Sequence, residues 1–174
     1  MTIQLATKEM IPQLLYLNRK YQFDRLNIFE QQKGFIKIEY SENEFIKIIE
    51  NHEIVVAPEE GKLVRGYYLI GKKSGSEKLI YQQKKAEFLA QQTTMTSNTD
   101  RIGDGCQVCI EENFRSGGLS RKMLDVLITA IKGKYDYLLS TISKENSVSL
   151  TNSTALGWTL FNSIETPQYY IYKL

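Results

Sequence analysis

The stretch Val108 to Asp125, V-C-I-E-E-N-F-R-S-G-G-L-S-R-K-M-L-D, constrains the fold of this chain more than any other. It reads as a strand, a short glycine-containing turn and then an amphipathic helix. Leu119, Met123, Leu127, Ala130 and Ile131 recur at helical spacing, and Gly133 ends the run. Tyr135 to Ile142 is a further strand. Elements in this order form a β-α-β unit. It predicts that the strand Gly105–Ile110 lies parallel to the strand 135–142, joined by a right-handed crossover.

The remaining elements fit around that unit. Ile3 to Ala6 is a short apolar opening strand. Ile11, Leu14, Leu15 and Asn18 stand at helical spacing, with the three aliphatic residues as the apolar stripe. Pro12 belongs in the first turn, since deeper inside it would remove a backbone hydrogen bond. Tyr21 to Tyr40 mixes aromatics with Asn27, Gln31, Gln32 and Gly34, as a loop or broken helix does. Ser41-Glu42-Asn43-Glu44 is a capping box, followed by the stripe Phe45, Ile48 and Ile49. Glu53–Ala57 and Leu63–Ile70 read as a hairpin around the turn Pro58–Gly61. Leu79, Gln83, Ala86, Leu89 and Ala90 predict an amphipathic helix between the flexible loop Gly71–Gly75 and the polar loop Thr93–Asp100. Trp158–Ile164 and Tyr169–Leu174 form a closing pair around Thr166-Pro167. The order β-α-α-β-β-(α)-β-α-β-α-β-β predicts an α/β (α+β) fold with a mixed central sheet flanked by helices. No repeat or linker interrupts it, and 174 residues suffice for one domain, 1–174, with a sizeable core.

Composition narrows the function classes. Hydrophobic residues make up 42% and charged residues 24%, as in ordinary globular chains. A net charge of +2 gives no broad electrostatic footprint for nucleic acid. No apolar run approaches the ~20 residues of a membrane helix. Met1-Thr2-Ile3-Gln4 lacks the pattern of a secretory signal, so a cytoplasmic protein is expected. Cys106 and Cys109 have C-x-x-C spacing, which invites a redox or metal reading. They lie on a strand, where residues three apart point to opposite faces, and one pair cannot complete a four-ligand zinc site. No metal is expected. His52, just after a helix and beside Asn51, reads as a surface residue.

Arg115-Ser116-Gly117-Gly118-Leu119-Ser120 lies where a helix begins. That end presents unpaired N–H groups and the positive pole of the helix dipole, a combination that binds phosphate. Gly117 and Gly118 allow the backbone close to a pyrophosphate, and Arg115 and Arg121 are placed to add charge-assisted contacts. The chain contains neither the P-loop pattern nor G-x-G-x-x-G. A plain strand-to-helix turn with glycines for tight packing fits the same residues, and the local chemistry leaves both readings open.

The segment resembles the acetyl-CoA pyrophosphate motif of the GNAT superfamily of N-acetyltransferases, [RQ]-x-x-G-x-[GA]. Arg115 and Gly118 match, while Ser120 replaces the family's glycine or alanine. Asn146-Ser147-Val148-Ser149-Leu150 and Leu156-Gly157-Trp158 are similar to the family's N-x-x-[SA]…L-G-F segment. The resemblance implies transfer of an acetyl group from acetyl-CoA to a primary amine by direct attack. It implies that the N–H groups of Ser116, Gly117, Gly118, Leu119, Ser120 and Arg121 hold the pyrophosphate. The Ile110 backbone would pair with the pantetheine arm beyond a splay between the fourth and fifth strands, and Asn146 and Ser149 would also border the cofactor. It implies a helix after Asn146, against the cap and turn preferences of its Ser, Thr and Asn residues.

Where many members have a tyrosine that protonates the leaving thiolate, this chain has Ser153, a far weaker acid. Ser153 or a water is then the proton donor. Glu111 is the carboxylate assigned as base; Glu111 and Glu112 also suit solvated positions before a helix N-terminus. The acceptor, a small-molecule amine or a peptide, would meet Tyr21, Phe23, Phe29, Phe35, Tyr67 and Tyr68. The segment 71–102 would cover the pocket or form a homodimer contact. A CoA-binding module without turnover is the alternative that the missing tyrosine favours. A phosphate-binding interaction domain is the other, and Asn146 at its offset argues against it.

Overall fold

The computed structural model describes residues 1–59, 63–71, 75–92, 98–115, 117–162 and 168–174. The hairpin tip at Gly61, the loop 72–74, residues 93–97 of the polar loop Thr93–Asp100, Ser116, the strand end at Ile164 and the turn Thr166-Pro167 lie outside the described residues.

In chain order the elements are β1 (Gln4–Leu5), α1 (Ile11–Lys20), α2 (Ile28–Gln31), α3 (Glu42–Glu50), β2 (Ile54–Pro58), β3 (Val64–Ile70), α4 (Gly75–Ala90), β4 (Ile102–Asp104), β5 (Cys106–Ile110), α5 (Leu119–Ala130), β6 (Tyr137–Ile142), α6 (Ser147–Leu156), β7 (Thr159–Asn162) and β8 (Gln168–Lys173). Pro12 sits in the first turn of α1, and the Ser41–Glu44 capping box opens α3, both as the local sequence predicts. Pro58 extends β2 instead of starting the turn.

Among the described residues the strands form two four-stranded sheets, β1-β2-β3-β5 and β4-β6-β8-β7. They meet at Gly105, whose φ of +69° is a left-handed conformation that glycine adopts without a Cβ clash. The expected parallel pairing exists but lies upstream of its predicted place. Ile102–Asp104 pairs parallel with Tyr137–Leu139, whereas Cys106–Ile110 turns away and pairs antiparallel with Gly66–Ile70. Gly105 N–H still donates to Leu139 O at 2.9 Å, and the Ser140 hydroxyl donates to Cys106 O at 3.0 Å. Beyond that tie β5 pairs with β3 and β6 pairs with β8, and the two strands part. Ile-Gly-Asp is a poor local strand signal, so its pairing is legible only once the partner is present.

Residues along β2 and β3 alternate between two apolar layers, which is why both faces read as nearly continuous hydrophobic runs. Ile54, Val56 and Tyr67 pack with Leu14, Leu17 and Phe45 of α1 and α3. Val55, Tyr68 and Ile70 pack with Met123, Leu124 and Leu127 of α5. In α1 the fully buried leucine beside Leu14 is Leu17; Leu15 is only partly buried. Asn18, also fully buried, donates to Ile38 O and Tyr67 Oη and accepts from Tyr40 N–H, fixing the segment 38–40 against the helix.

Helix α4 covers the outer face of the second sheet, packing Tyr81 and Phe88 against Tyr137, Leu139 and Tyr169. Its buried face differs from the predicted stripe. Leu79 is 73% exposed, while Tyr81, Lys84, Lys85 and Phe88 are buried. Counting apolar residues selects the wrong side because Lys85 is buried as an ion pair with Asp104 of β4, and Lys84 lies over the Tyr169 ring. No described helix is long and apolar enough to cross a membrane.

Helix α6 forms despite its composition because both ends are tied. Asn146 accepts from Ser149 N–H at the N-terminus, and the Arg121 guanidinium donates to Ala155 O and Leu156 O at the other.

Candidate active site

The divergence of β5 from β6 opens the molecule along one line. On one side lies a cleft of ≈ 820 Å³ bounded by the segment 33–36, the end of β5, the start of α5 and one face of α6. On the other a slot of ≈ 380 Å³ runs between β5 and β6. Phe35, Ile36, Val108 and Ser149 border both, so the two spaces adjoin.

The strand edge facing the cleft follows from the pairing. Glu111 N–H donates to Arg65 O at 2.8 Å, and the register Gly66↔Ile110 makes 65/111, 67/109 and 69/107 the hydrogen-bonded pairs. The peptide groups of Val108 and Ile110 therefore point away from β3, toward the gap. Arg115 confirms that direction, its Nε donating to Ile110 O at 2.8 Å.

Helix α5 starts at this edge without a cap. Its N-cap residue is Gly118, at φ +71°, and among the described residues no side chain caps the first turn. A Cβ placed on Gly117 or Gly118 would meet nothing within 4 Å. The turn is thus open space in front of orphan N–H groups, not a glycine contact required by packing. Leu119 is buried and anchors the helix, and the Ser120 hydroxyl donates to Asn152 Oδ1 at 2.8 Å, joining α5 to α6.

The slot is lined by hydroxyls: Tyr68, Tyr81, Ser140, Thr141 and Ser153. Tyr81 Oη lies 3.1 Å from Thr141 Oγ1. Burial pushes the Tyr68 phenol well up from its usual range, so it stays protonated. Cys106 also borders the slot; burial first, and then Asp104, push its thiol up, which leaves it a poor nucleophile. Cys109 is on the opposite face, its Sγ 3.8 Å from Leu17 O, with its thiol pushed up to about 12 by burial.

Neither a protein-family model nor a curated protein sequence matches this chain. Solved structures do. A GNAT-family acetyltransferase from Listeria monocytogenes aligns over 99% of this chain and 94% of its own, with a TM-score of 0.67 and 13% identity. A phosphinothricin acetyltransferase of the GNAT superfamily from Sinorhizobium meliloti, solved in complex with AcCoA, aligns over 99% and 88%, with a TM-score of 0.65 and 15% identity. A ribosomal-protein-alanine N-acetyltransferase from Brucella melitensis aligns over 100% of both chains, with a TM-score of 0.62 and 18% identity. The fold is that of the GNAT acetyltransferases.

On this GNAT fold the residues expected from the resemblance divide into groups. Ile110, Arg115, Gly118, Leu119, Ser120 and Ser149 border the cleft, and Ser149, Asn146 and Ser153 border the slot. Ser116 lies outside the described residues. The guanidinium groups of Arg115 and Arg121 are engaged with main-chain carbonyls, Arg115 with Ile110 and Lys33 and Arg121 with the end of α6. Asn146 is 4% exposed and acts on the protein itself: Oδ1 caps α6, and Nδ2 donates to Phe35 O at 2.7 Å. Glu111 lies off both spaces, in a separate hollow of ≈ 250 Å³, paired with Arg65 at 2.8 Å and Lys20 at 3.3 Å.

Of the acceptor aromatics, Tyr21 and Phe35 border the cleft and Tyr68 the slot. Phe23 packs edge-on against Phe35, Phe29 is 73% exposed, and Tyr67 is a core residue bonded to Asn18 and Gln107. Two slot residues, Glu77 and Tyr81 of α4, were not singled out by the sequence. Their only signal is a separation of four on a helix, which puts both on one face.

Proposed function

We propose that this chain is an acyltransferase that takes an acetyl group from acetyl-CoA and passes it to a primary amine, acting as one domain over residues 1–174. The observation that carries this reading is the uncapped start of α5 beside the free edge of β5. The N–H groups from Gly117 to Arg121 would hold the pyrophosphate. The outward peptide groups of Val108, with the Ile110 C=O that also accepts from Arg115, would pair with the pantetheine amides, leaving the thioester at the junction of cleft and slot. Bound acetyl-CoA supplies the activated acyl group.

The amine nitrogen, once neutral, attacks the thioester carbonyl; the new C–N bond forms as the C–S bond breaks. The amine's proton leaves to water, because Glu111 is held between two cations away from the junction. The Ile110 N–H points to the side where the carbonyl oxygen gains charge. The thiolate takes its proton from Ser153 or a water it orders. The raised thiol of Cys106 disfavours an acyl-enzyme route, so direct attack is preferred.

Serine at position 153 favours one second reading, a CoA-binding module with little turnover. Titration of the protein with acetyl-CoA, with ATP as control, tests the shared premise. Micromolar binding to acetyl-CoA alone is expected, followed by thiol release on adding amines. Binding without thiol release selects the second reading, and no binding in folded protein overturns both.

A further inference from the structure

The lining of the slot comes from both faces of the first sheet, and strand parity sorts it. Cys106 and Val108 of β5 pack on the α5 side with Tyr68 and Trp158, and Ser153 reaches the slot from α6, whose Leu150 and Leu156 join the same layer. Ile36 and Ile38 belong instead to the layer of α1 and α3. Gln107, between Cys106 and Val108 in β5, turns to that second side, where its amide meets Tyr67. The slot therefore joins the two faces through the gap between β5 and β6.

The Gln107 amide is held at one end. Its Nε2 donates to Tyr67 Oη at 2.6 Å. That phenol is fully buried and also accepts from Asn18 Nδ2 at 2.9 Å. Asn18 is itself fixed by two main-chain groups, donating to Ile38 O and accepting from Tyr40 N–H. The bonds run from α1 to Gln107 through buried members. The other end of the amide is different. Oε1 has no hydrogen-bond partner among the described residues. The polar side-chain atoms there that are both sealed off and unpartnered are Tyr40 Oη and Trp158 Nε1, so Oε1 is unpartnered yet reachable. The space that Gln107 borders is the slot. Its Cα is one residue, about 3.8 Å, from that of Val108, whose peptide groups face the gap.

An amine must be neutral to attack, and it gains positive charge as the C–N bond forms. A carbonyl oxygen that accepts one of its N–H groups orients the lone pair and binds more strongly as that charge develops. A carboxylate in the same place favours the charged, unreactive ammonium.

We propose that Gln107 Oε1 holds the attacking amine, so that the acceptor enters from the α1 and α3 side of the sheet while the thiolate leaves on the Ser153 side. This rests on the acetyl-transfer reading. The nitrogen lone pair forms the C–N bond, the C–S electron pair leaves on sulfur, the surplus amine proton passes to water, and sulfur gains a proton on the α6 side.

The experiment uses butylamine as the probe acceptor, in the full chain and in Gln107→Met, which keeps the length of the side chain and removes the accepting oxygen. Gln107→Met should lower kcat/KM for butylamine by about tenfold or more and leave acetyl-CoA affinity unchanged. An unchanged kcat/KM, or an equal loss of acetyl-CoA affinity, overturns the inference. Should Gln107→Met not fold, Tyr67→Phe releases only the anchor, and a fall of about threefold in the same constant is expected; no fall overturns it. If the parent does not acetylate butylamine, the side-chain amide signals of Gln107 in a ¹⁵N–¹H spectrum decide, recorded with CoA present and assigned by their loss in Gln107→Met. Their movement on adding butylamine supports the contact, and unmoved signals overturn it. Acetyl-CoA affinity, measured separately, shows whether the cofactor reading has failed as well.

Discussion

Helices α3 and α5 begin in opposite ways. At α3 the Ser41 hydroxyl accepts from Glu44 N–H while the Glu44 carboxylate accepts from Ser41 N–H at 2.8 Å, so the start closes on itself. At α5 Gly118 supplies no side chain, and a Cβ on Gly117 or Gly118 would meet open space. Both starts obey the same rule, that four N–H groups at a helix N-terminus need partners. A start that satisfies the rule locally is structural. One that leaves it unsatisfied at the edge of a cleft is the kind of start on which the proposed pyrophosphate site rests. Helix α6 lies between the two cases: it borders the cleft, yet Asn146 closes its start.

The comparison breaks most sharply at position 118. Gly118→Val puts a branched side chain into the open turn at a left-handed φ. It should lower acetyl-CoA affinity by roughly 100-fold, about 2.7 kcal/mol, while the circular dichroism spectrum is retained. Unchanged affinity in a folded variant would falsify the assignment of α5 as the pyrophosphate site.

A smaller effect, of a different kind, is expected at α6. Asn146→Ala removes the cap and strands Phe35 O, and should cost about 2 kcal/mol of stability in urea unfolding. Acetyl-CoA affinity should then fall only as far as α6 and the 33–36 segment loosen. A large affinity loss at full stability would show instead that Asn146 contacts the cofactor directly.

The smallest effect belongs to the self-closed start. Ser41→Ala should cost about 1 kcal/mol of stability and leave acetyl-CoA binding untouched. A shift in binding at this position would mean that the closed start is coupled to the cleft, and the contrast with α5 would lose its force.

Much of this was legible along the chain because it is local. The capping box, Pro12 in the first turn of α1, and the glycine-led start of α5 involve residues within about four positions of one another. The cleft residues Ile110, Gly118 and Ser149 came from two short motifs whose spacing the GNAT resemblance interprets. Other features depend on partners far away in sequence. The strand 102–104 is poor in strand formers and exists because 137–139 pairs with it. The buried face of α4 carries two lysines, and only Asp104, brought up by the sheet, makes Lys85 tolerable there. Glu111 looks like a base in the sequence because it stands next to Ile110; Arg65 and Lys20, both distant in sequence, hold it outside the cleft.

The sequence alone therefore determined where α1, α3 and α5 start, which turn lacks a cap and which layers are apolar, since neighbouring residues and short periodicities decide these things. Only the tertiary structure decided where β5 leaves β6, which side of α4 is buried and which carboxylate faces the slot. Those outcomes depend on strand register and on charge partners between 19 and 91 residues apart, and no local preference encodes such pairs.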